Sequence, residues 1–172
     1  MIKRIALVGA SSTGKTTVFE LLKNKLDKYE FINEATRTVR EYGFPINEFG
    51  TDATQLAISS FHLETLLKPG NMLLDRGYLD LLVYTNHMDV DDSTLNFIED
   101  IWHRVKDEYT HYIYFPIEFD AVDDGVRSVN EKWRRKVDEG FVEQLEQLPD
   151  YKKLTITGSP MQRVDQIMEF IK

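Results

Sequence analysis

Gly9-Ala10-Ser11-Ser12-Thr13-Gly14-Lys15-Thr16 meets every fixed position of the phosphate-binding loop pattern G-x-x-x-x-G-K-[ST]. The chemistry accounts for the spacing. The two glycines let the loop wrap so that successive backbone N–H groups face a phosphate, where side chains would block the approach. Lys15 reaches the β- and γ-phosphates, Thr16 offers its hydroxyl to Mg²⁺, and the helix that starts here adds its positive dipole end to the same anion. Residues 9 to 17, ending in Thr17, are thus the expected cradle for ATP with Mg²⁺. The flanks agree: Ile5-Ala6-Leu7-Val8 suits a buried strand, and Val18, Leu21, Leu22 and Leu26 follow at helical spacing. A glycine-rich turn that matches by chance would not bring strand, loop and helix in this order.

The chain has 172 residues, the length of one domain, and 42% of them are hydrophobic, which is enough for a single core. It contains no cysteine, so disulfides and thiolate metal sites do not arise. No long apolar run appears and the first strand begins almost at once, so neither a membrane span nor a cleaved leader is expected. A cytoplasmic protein is the expectation, in a host cytoplasm if the chain is phage-encoded. The formal net charge of -8 disfavours a broad nucleic-acid-binding face and leaves room for a local basic channel.

Strand and helix signals alternate along the chain. Tyr29-Glu30-Phe31-Ile32 is the second strand, ending in Asn33-Glu34-Ala35-Thr36-Arg37. A helix from about Asp52 to Leu67 closes at Lys68-Pro69-Gly70. Met72 to Asp75 is the third strand, and Tyr78 to about His87 is helical. Asp92 or Ser93 caps a helix whose apolar face is Leu95, Ile98, Ile101, Trp102 and Val105. His111 to Ile117 is a fourth strand, followed by a polar stretch and a charged helix from Glu131 to Leu148. Tyr151 to Thr157 is the fifth strand, and an amphipathic helix marked by Met161, Val164, Ile167, Met168 and Ile171 ends the chain. This alternation predicts one α/β domain over 1–172, a parallel sheet covered by helices on both faces, with ligands at the carboxyl ends of the strands.

The other strand ends decide what the triphosphate is used for. Asp75, after three apolar residues, stands where an acidic residue holds Mg²⁺ together with Thr16, although a strand-ending Asp is also an ordinary turn residue. Arg76 follows, with Asp80 one helical turn on; the guanidinium can clamp a phosphate, or the two can form a helix-start ion pair. Glu34 can accept the proton of an attacking hydroxyl, with Arg37 beside it, or the segment can be a capped turn with a solvated arginine. Asp123-Asp124-Gly125-Val126-Arg127, leading to Lys132, Arg134, Arg135 and Lys136, is the densest basic region. It reads as a lid over about 118–140 that closes Arg127 over the transferring phosphate; the plainer alternative is a solvated face pairing Glu131, Arg135 and Glu139. Lys132 and Lys136 are expected at the surface. His62, His87, His103 and His111 form no metal-site spacing and are expected to be structural or exposed. Trp102 belongs to the core; Trp133 either stacks on a base or anchors its helix.

Together, the phosphate loop, the Glu-Ala-Thr-Arg segment, the Asp-Arg segment with its downstream Asp, and Asp-Gly-x-Arg before a charged helix resemble small P-loop kinases of the nicotinamide riboside kinase and nucleoside and nucleotide kinase type, phage relatives included. Asp75-Arg76-Gly77 departs from the Asp-Arg-Ser signature of such kinases at Gly77. The loop Thr157-Gly158-Ser159-Pro160, with Arg163 beyond it, is similar to the one that lies near the nucleotide base in them. The resemblance implies the three-layer P-loop fold with the first strand central in a five-stranded sheet, a helical lid, ATP and Mg²⁺, and an acceptor hydroxyl near Glu34, Arg37, Arg76 and Asp80. The implied activity is transfer of the γ-phosphate to a nucleoside or nucleotide. Two alternatives stand beside it: a phage-type kinase acting on a hydroxymethyl base, hydroxymethyluracil, within DNA, and a regulatory NTPase with no phosphoryl acceptor.

Overall fold

The computed structural model describes residues 2–120 and 130–172. Five parallel strands, β1 (Arg4–Val8), β2 (Tyr29–Ile32), β3 (Asn71–Asp75), β4 (His111–Tyr114) and β5 (Lys153–Thr155), form one sheet in the order β2-β3-β1-β4-β5. β1 is central, with Leu7 opposite Asp75 on one side and Val8 opposite Tyr114 on the other. Alternation along the strands builds the two cores. Ile5, Leu7, Leu73 and Ile113 pack on helices α1 (Lys15–Lys23) and α7 (Pro160–Phe170). Ala6, Val8, Met72, Leu74 and Tyr112 face the opposite layer, made of α2 (Ala35–Glu41), α3 (Asp52–Leu67), α4 (Tyr78–Thr85), α5 (Asp92–Val105) and α6 (Glu131–Glu146). A sheet buried on both faces is what continuous apolar strands dictate, and the result is the three-layer α/β sandwich.

The helix boundaries follow from local chemistry. The Thr51 hydroxyl accepts from the Thr54 N–H, and the Thr51 N–H donates to the Thr54 hydroxyl, closing a capping box on α3. Asn130 caps α6 through the Trp133 N–H, while Ser159 caps α7 with Pro160 in its first turn. α2 is the one helix without a forecast in the sequence: the stretch after β2 turns helical at Ala35, and Glu34 becomes its N-cap residue. β4 is shorter than expected because Phe115 still donates to the Val8 carbonyl, whereas Pro116 has no N–H to continue the ladder. β5 starts late because residues 150–152 form a 3-10 turn. Residues 121–129, which include Arg127 and the middle of the lid expected over about 118–140, lie outside the described residues; residues 131–140 of that stretch belong to α6, with Trp133, Arg134, Val137 and Gly140 buried. Among those described, no helix is long and apolar enough to cross a membrane.

Candidate active site

The phosphate loop leaves the carboxyl end of the central strand. Gly9 has φ +136°, and a Cβ there would stand 2.5 Å from the Phe115 carbonyl oxygen, so no other residue fits. Gly14, at φ +88°, turns the chain into α1. Cations fix the loop's carbonyls. The Lys15 Nζ donates to the carbonyls of Gly9 at 2.7 Å and Ala10 at 2.5 Å. Arg134, fully buried, donates to Ser11 O at 2.8 Å, Ser12 O at 3.2 Å and Phe119 O at 2.9 Å. Arg163 donates to Thr13 O at 2.6 Å. Inside the loop the Ser11 and Ser12 hydroxyls are buried without a partner among the described residues. Buried polar groups left unpaired beside three cations are what an anion-binding cradle shows before its phosphate arrives, so the loop fits a triphosphate.

The Thr16 hydroxyl donates to Asp75 Oδ2 at 2.9 Å, which joins the two oxygens expected to hold a cation. Burial, reinforced by Glu34, pushes the Asp75 carboxyl up from the usual range, and Lys15, Arg76 and the Thr16 hydrogen bond pull it back. Among the described residues no group of three or more His, Cys, Asp or Glu forms a cage. One carboxylate and one hydroxyl are nevertheless the protein donors that Mg²⁺ uses when phosphate oxygens and water complete its octahedron. Burial, with Arg76 nearby, pulls the Lys15 ammonium down to about 7 against the opposing charges of Asp80, Asp75 and Glu34.

Beyond Asp75 the chain builds a second charged cluster. Arg76 takes φ +82°, a conformation that costs a non-glycine residue about 1–3 kcal/mol and that aims its side chain back under the loop. Its Nε donates to Glu34 Oε1 at 2.7 Å, and its Nη1 donates to Asp80 Oδ1 at 3.1 Å and to the Gly9 carbonyl at 3.4 Å. The guanidinium also lies 4.9 Å over the Tyr84 ring. Asp80 Oδ2 accepts from the Gly77 N–H and so starts α4; burial pushes its carboxyl up to about 6, against the pull of Arg76. The helix-start ion pair weighed for Arg76 is therefore present, and the guanidinium holds two carboxylates and a loop carbonyl. Arg37 pairs with Glu34 at 3.4 Å from the exposed side. Gly77, the departure from Asp-Arg-Ser, has a packing cause: a Cβ would lie 2.9 Å from the Ala6 Cβ and 3.2 Å from the Tyr109 ring.

Two clefts flank the loop. On one side, Thr17, Gly14, Phe119, Gly158, Pro160 and Arg163 border a cleft of about 640 Å³, open to solvent. That places the Thr157–Pro160 loop beside the cradle. On the other side, Glu34, Arg76, Asp80, Tyr84, Gln55 and His62 line a narrower cavity of about 480 Å³ including its mouth. Sequence reasoning assigned no role to Gln55 or Tyr84, counted Arg134 in the basic stretch of the lid, and took His62 as structural or exposed; the structure turns Arg134 onto the phosphate-loop carbonyls and puts His62 on the cavity wall. Arg134 did leave a signal, because it lies on the same helical stripe as Val137 and Phe141, which are buried. Trp133 anchors its helix: its Nε1 donates to the His87 carbonyl at 3.1 Å and its ring meets Tyr84 edge-on. Trp102 is in the core, and Lys132 and Lys136 are exposed.

A family model described as an AAA domain matches residues 4–163. Among solved structures the chain is similar to deoxyadenosine kinase from M. mycoides, with a TM-score of 0.75, 18% identity, and coverage of 98% of this chain and 97% of that one. It is similar to a NadR protein solved in complex with NR, at a TM-score of 0.80 and 17% identity over 99% of this chain and 50% of that one. Thymidylate kinase from Candida albicans gives a TM-score of 0.68 and 19% identity over 99% and 91% of the two chains. No curated protein sequence matches the chain. At these identities the likeness is one of fold.

Proposed function

Given that the chain belongs to the AAA domain family, we propose that it is an ATP- and Mg²⁺-dependent phosphotransferase that moves the γ-phosphate to a hydroxyl of a nucleoside or nucleotide. The observation that carries this reading is the placement of two clefts on either side of one phosphate loop, with Glu34, Arg76 and Asp80 on the second. A switch that only hydrolyses needs the first cleft and has no use for a walled cavity beyond it. Residues 9 to 17 form the cradle, and the cleft by Gly158 and Arg163 takes the base of ATP. Lys15 exchanges its hold on the Gly9 and Ala10 carbonyls for the β- and γ-phosphates. Thr16 and Asp75 hold Mg²⁺, which when bound neutralises charge on the phosphate oxygens. Arg76 and Arg37 fix Glu34 so that its carboxylate takes the proton as the acceptor oxygen attacks the γ-phosphorus and ADP leaves. Arg127 is proposed as the lid arginine on the transferring phosphate. All the solved relatives named above are kinases or NadR bound to NR, which supports a small acceptor over a base in DNA.

The test follows transfer of labelled γ-phosphate from ATP to free nucleosides, nucleotides and modified oligonucleotides. Glu34→Gln is expected to lower kcat by about 10²-fold or more with ATP affinity close to the parent. A change confined to ATP affinity would move Glu34 to the nucleotide side.

A further inference from the structure

We propose that the cavity behind Arg76 admits its acceptor as a nucleoside that carries no phosphate, with the base held against His62; this rests on the phosphotransferase reading above. The first argument is charge. Among the described residues that line the cavity, Arg76 is the one cation, and it faces the carboxylates of Glu34 and Asp80 at 2.7 and 3.1 Å. Arg37, which pairs with Glu34 from outside this lining, brings the cluster only to balance. A nucleotide would bring a further charge of about −1.5 to −2 on its monoester. It would sit beside two carboxylates, Lys15 offsets only Asp75 beyond them, and no surplus positive charge would meet it. An uncharged or cationic nucleoside meets no such penalty, and Glu34 is then left to face its hydroxyl.

The second argument is His62, on α3. It is 6% exposed, it borders the cavity, and it makes no hydrogen bond among the described residues; its ring lies 6.0 Å from that of Tyr78. Burial, helped by Arg76, pulls it down to about 4, so near pH 7 the ring is neutral and offers one N–H and one lone pair. That combination suits the mixed donor and acceptor edge of a heterocyclic base.

The experiment uses the whole chain, labelled ATP, and matched sets of nucleosides and their 5′-monophosphates. At least one nucleoside is expected to accept phosphate with kcat/KM about 100-fold or more above its monophosphate. For that nucleoside, His62→Leu should lower kcat/KM about tenfold or more with KM for ATP within about twofold, and His62→Asn, which keeps a donor and an acceptor, should recover most of the loss. The asparagine variant also controls for folding. Preference for monophosphates overturns the proposal and leaves the phosphotransferase standing. Hydrolysis of ATP without transfer to any acceptor overturns both. Unchanged kinetics in His62→Leu removes the base contact.

Discussion

Lys15 ties the phosphate loop together through the Gly9 and Ala10 carbonyls, and in the phosphotransferase reading the same ammonium is the fixed cation for the transferring phosphate. Lys15→Met is expected to lower kcat by about 10³-fold or more while the fold persists, since the loop carbonyls of Ser11, Ser12 and Thr13 keep their arginine donors. A steady-state assay beside a circular-dichroism melt checks both halves. Asp75→Asn keeps an acceptor for the Thr16 hydroxyl but removes the charge, so the Mg²⁺ concentration for half-maximal rate should rise about tenfold, with metal-free nucleotide binding unchanged. His62 sets a pH dependence of stability. Its folded-state value lies near 4 and its ordinary value at 6.5, so the unfolded chain binds the proton first as pH falls. Both states are neutral above pH 6.5, where His62 contributes no slope; stability falls between about 6.5 and 4, by at most about 3 kcal/mol, and levels off below. Urea midpoints of the parent and His62→Asn, compared at pH 7 and pH 4.5, should diverge at the lower pH, with the parent losing more.

At the scale of elements, α6 and α7 brace a loop that belongs to neither. Arg134→Met would leave the Ser11, Ser12 and Phe119 carbonyls without their side-chain donor and Glu131 with Arg135 alone, a loss of about 3 kcal/mol or more. Urea unfolding should show it, together with weaker ATP binding, whereas Arg135→Met, on an exposed side chain, should change neither. Gly77→Ala is expected to cost about 1–3 kcal/mol through its contact with Ala6 and Tyr109. These elements also mark what the sequence discloses. The phosphate loop was legible because four fixed residues encode its backbone path locally, although the arginines that brace it come from distant helices. Strand order was not in the strands themselves; the family resemblance supplied only the central place of the first, and all five strands lie within a residue or three of where alternation put them. Helix α2 was hidden because Glu34 to Arg37 has the polarity of a strand end, and only packing of Val39 into the core makes it helical. Arg134 was hidden by its neighbours: a charged helix reads as solvated, which holds for Lys132, Arg135 and Lys136, while the arginine on the apolar stripe is drawn inward by carbonyls distant in sequence.

For the molecule as a whole, the charge balance bears on what kind of acceptor can approach. The chain carries 29 acidic and 21 basic residues, a net charge of -8, and the described part of its basic strip is short: Lys132, Arg135 and Lys136 are exposed on α6, while Arg134 is turned inward. A polyanion would meet repulsion over most of the surface and could gain only from these few cations. If DNA were the acceptor, binding would release counterions from each neutralised phosphate, and affinity would fall by orders of magnitude between about 50 and 200 mM salt for the usual 6–10 contacts. A small acceptor enclosed by Glu34, Arg76 and His62 has no such atmosphere to release. Its KM is therefore expected to change by less than about threefold over the same range, with Lys132→Ala and Lys136→Ala nearly silent in kcat and KM. Acceptor KM, measured at 50, 100 and 200 mM salt in the parent and the double variant, checks this directly. A steep dependence that flattens when both lysines are removed would make α6 a backbone-tracking surface, and the modified base in DNA would replace the free nucleoside as acceptor.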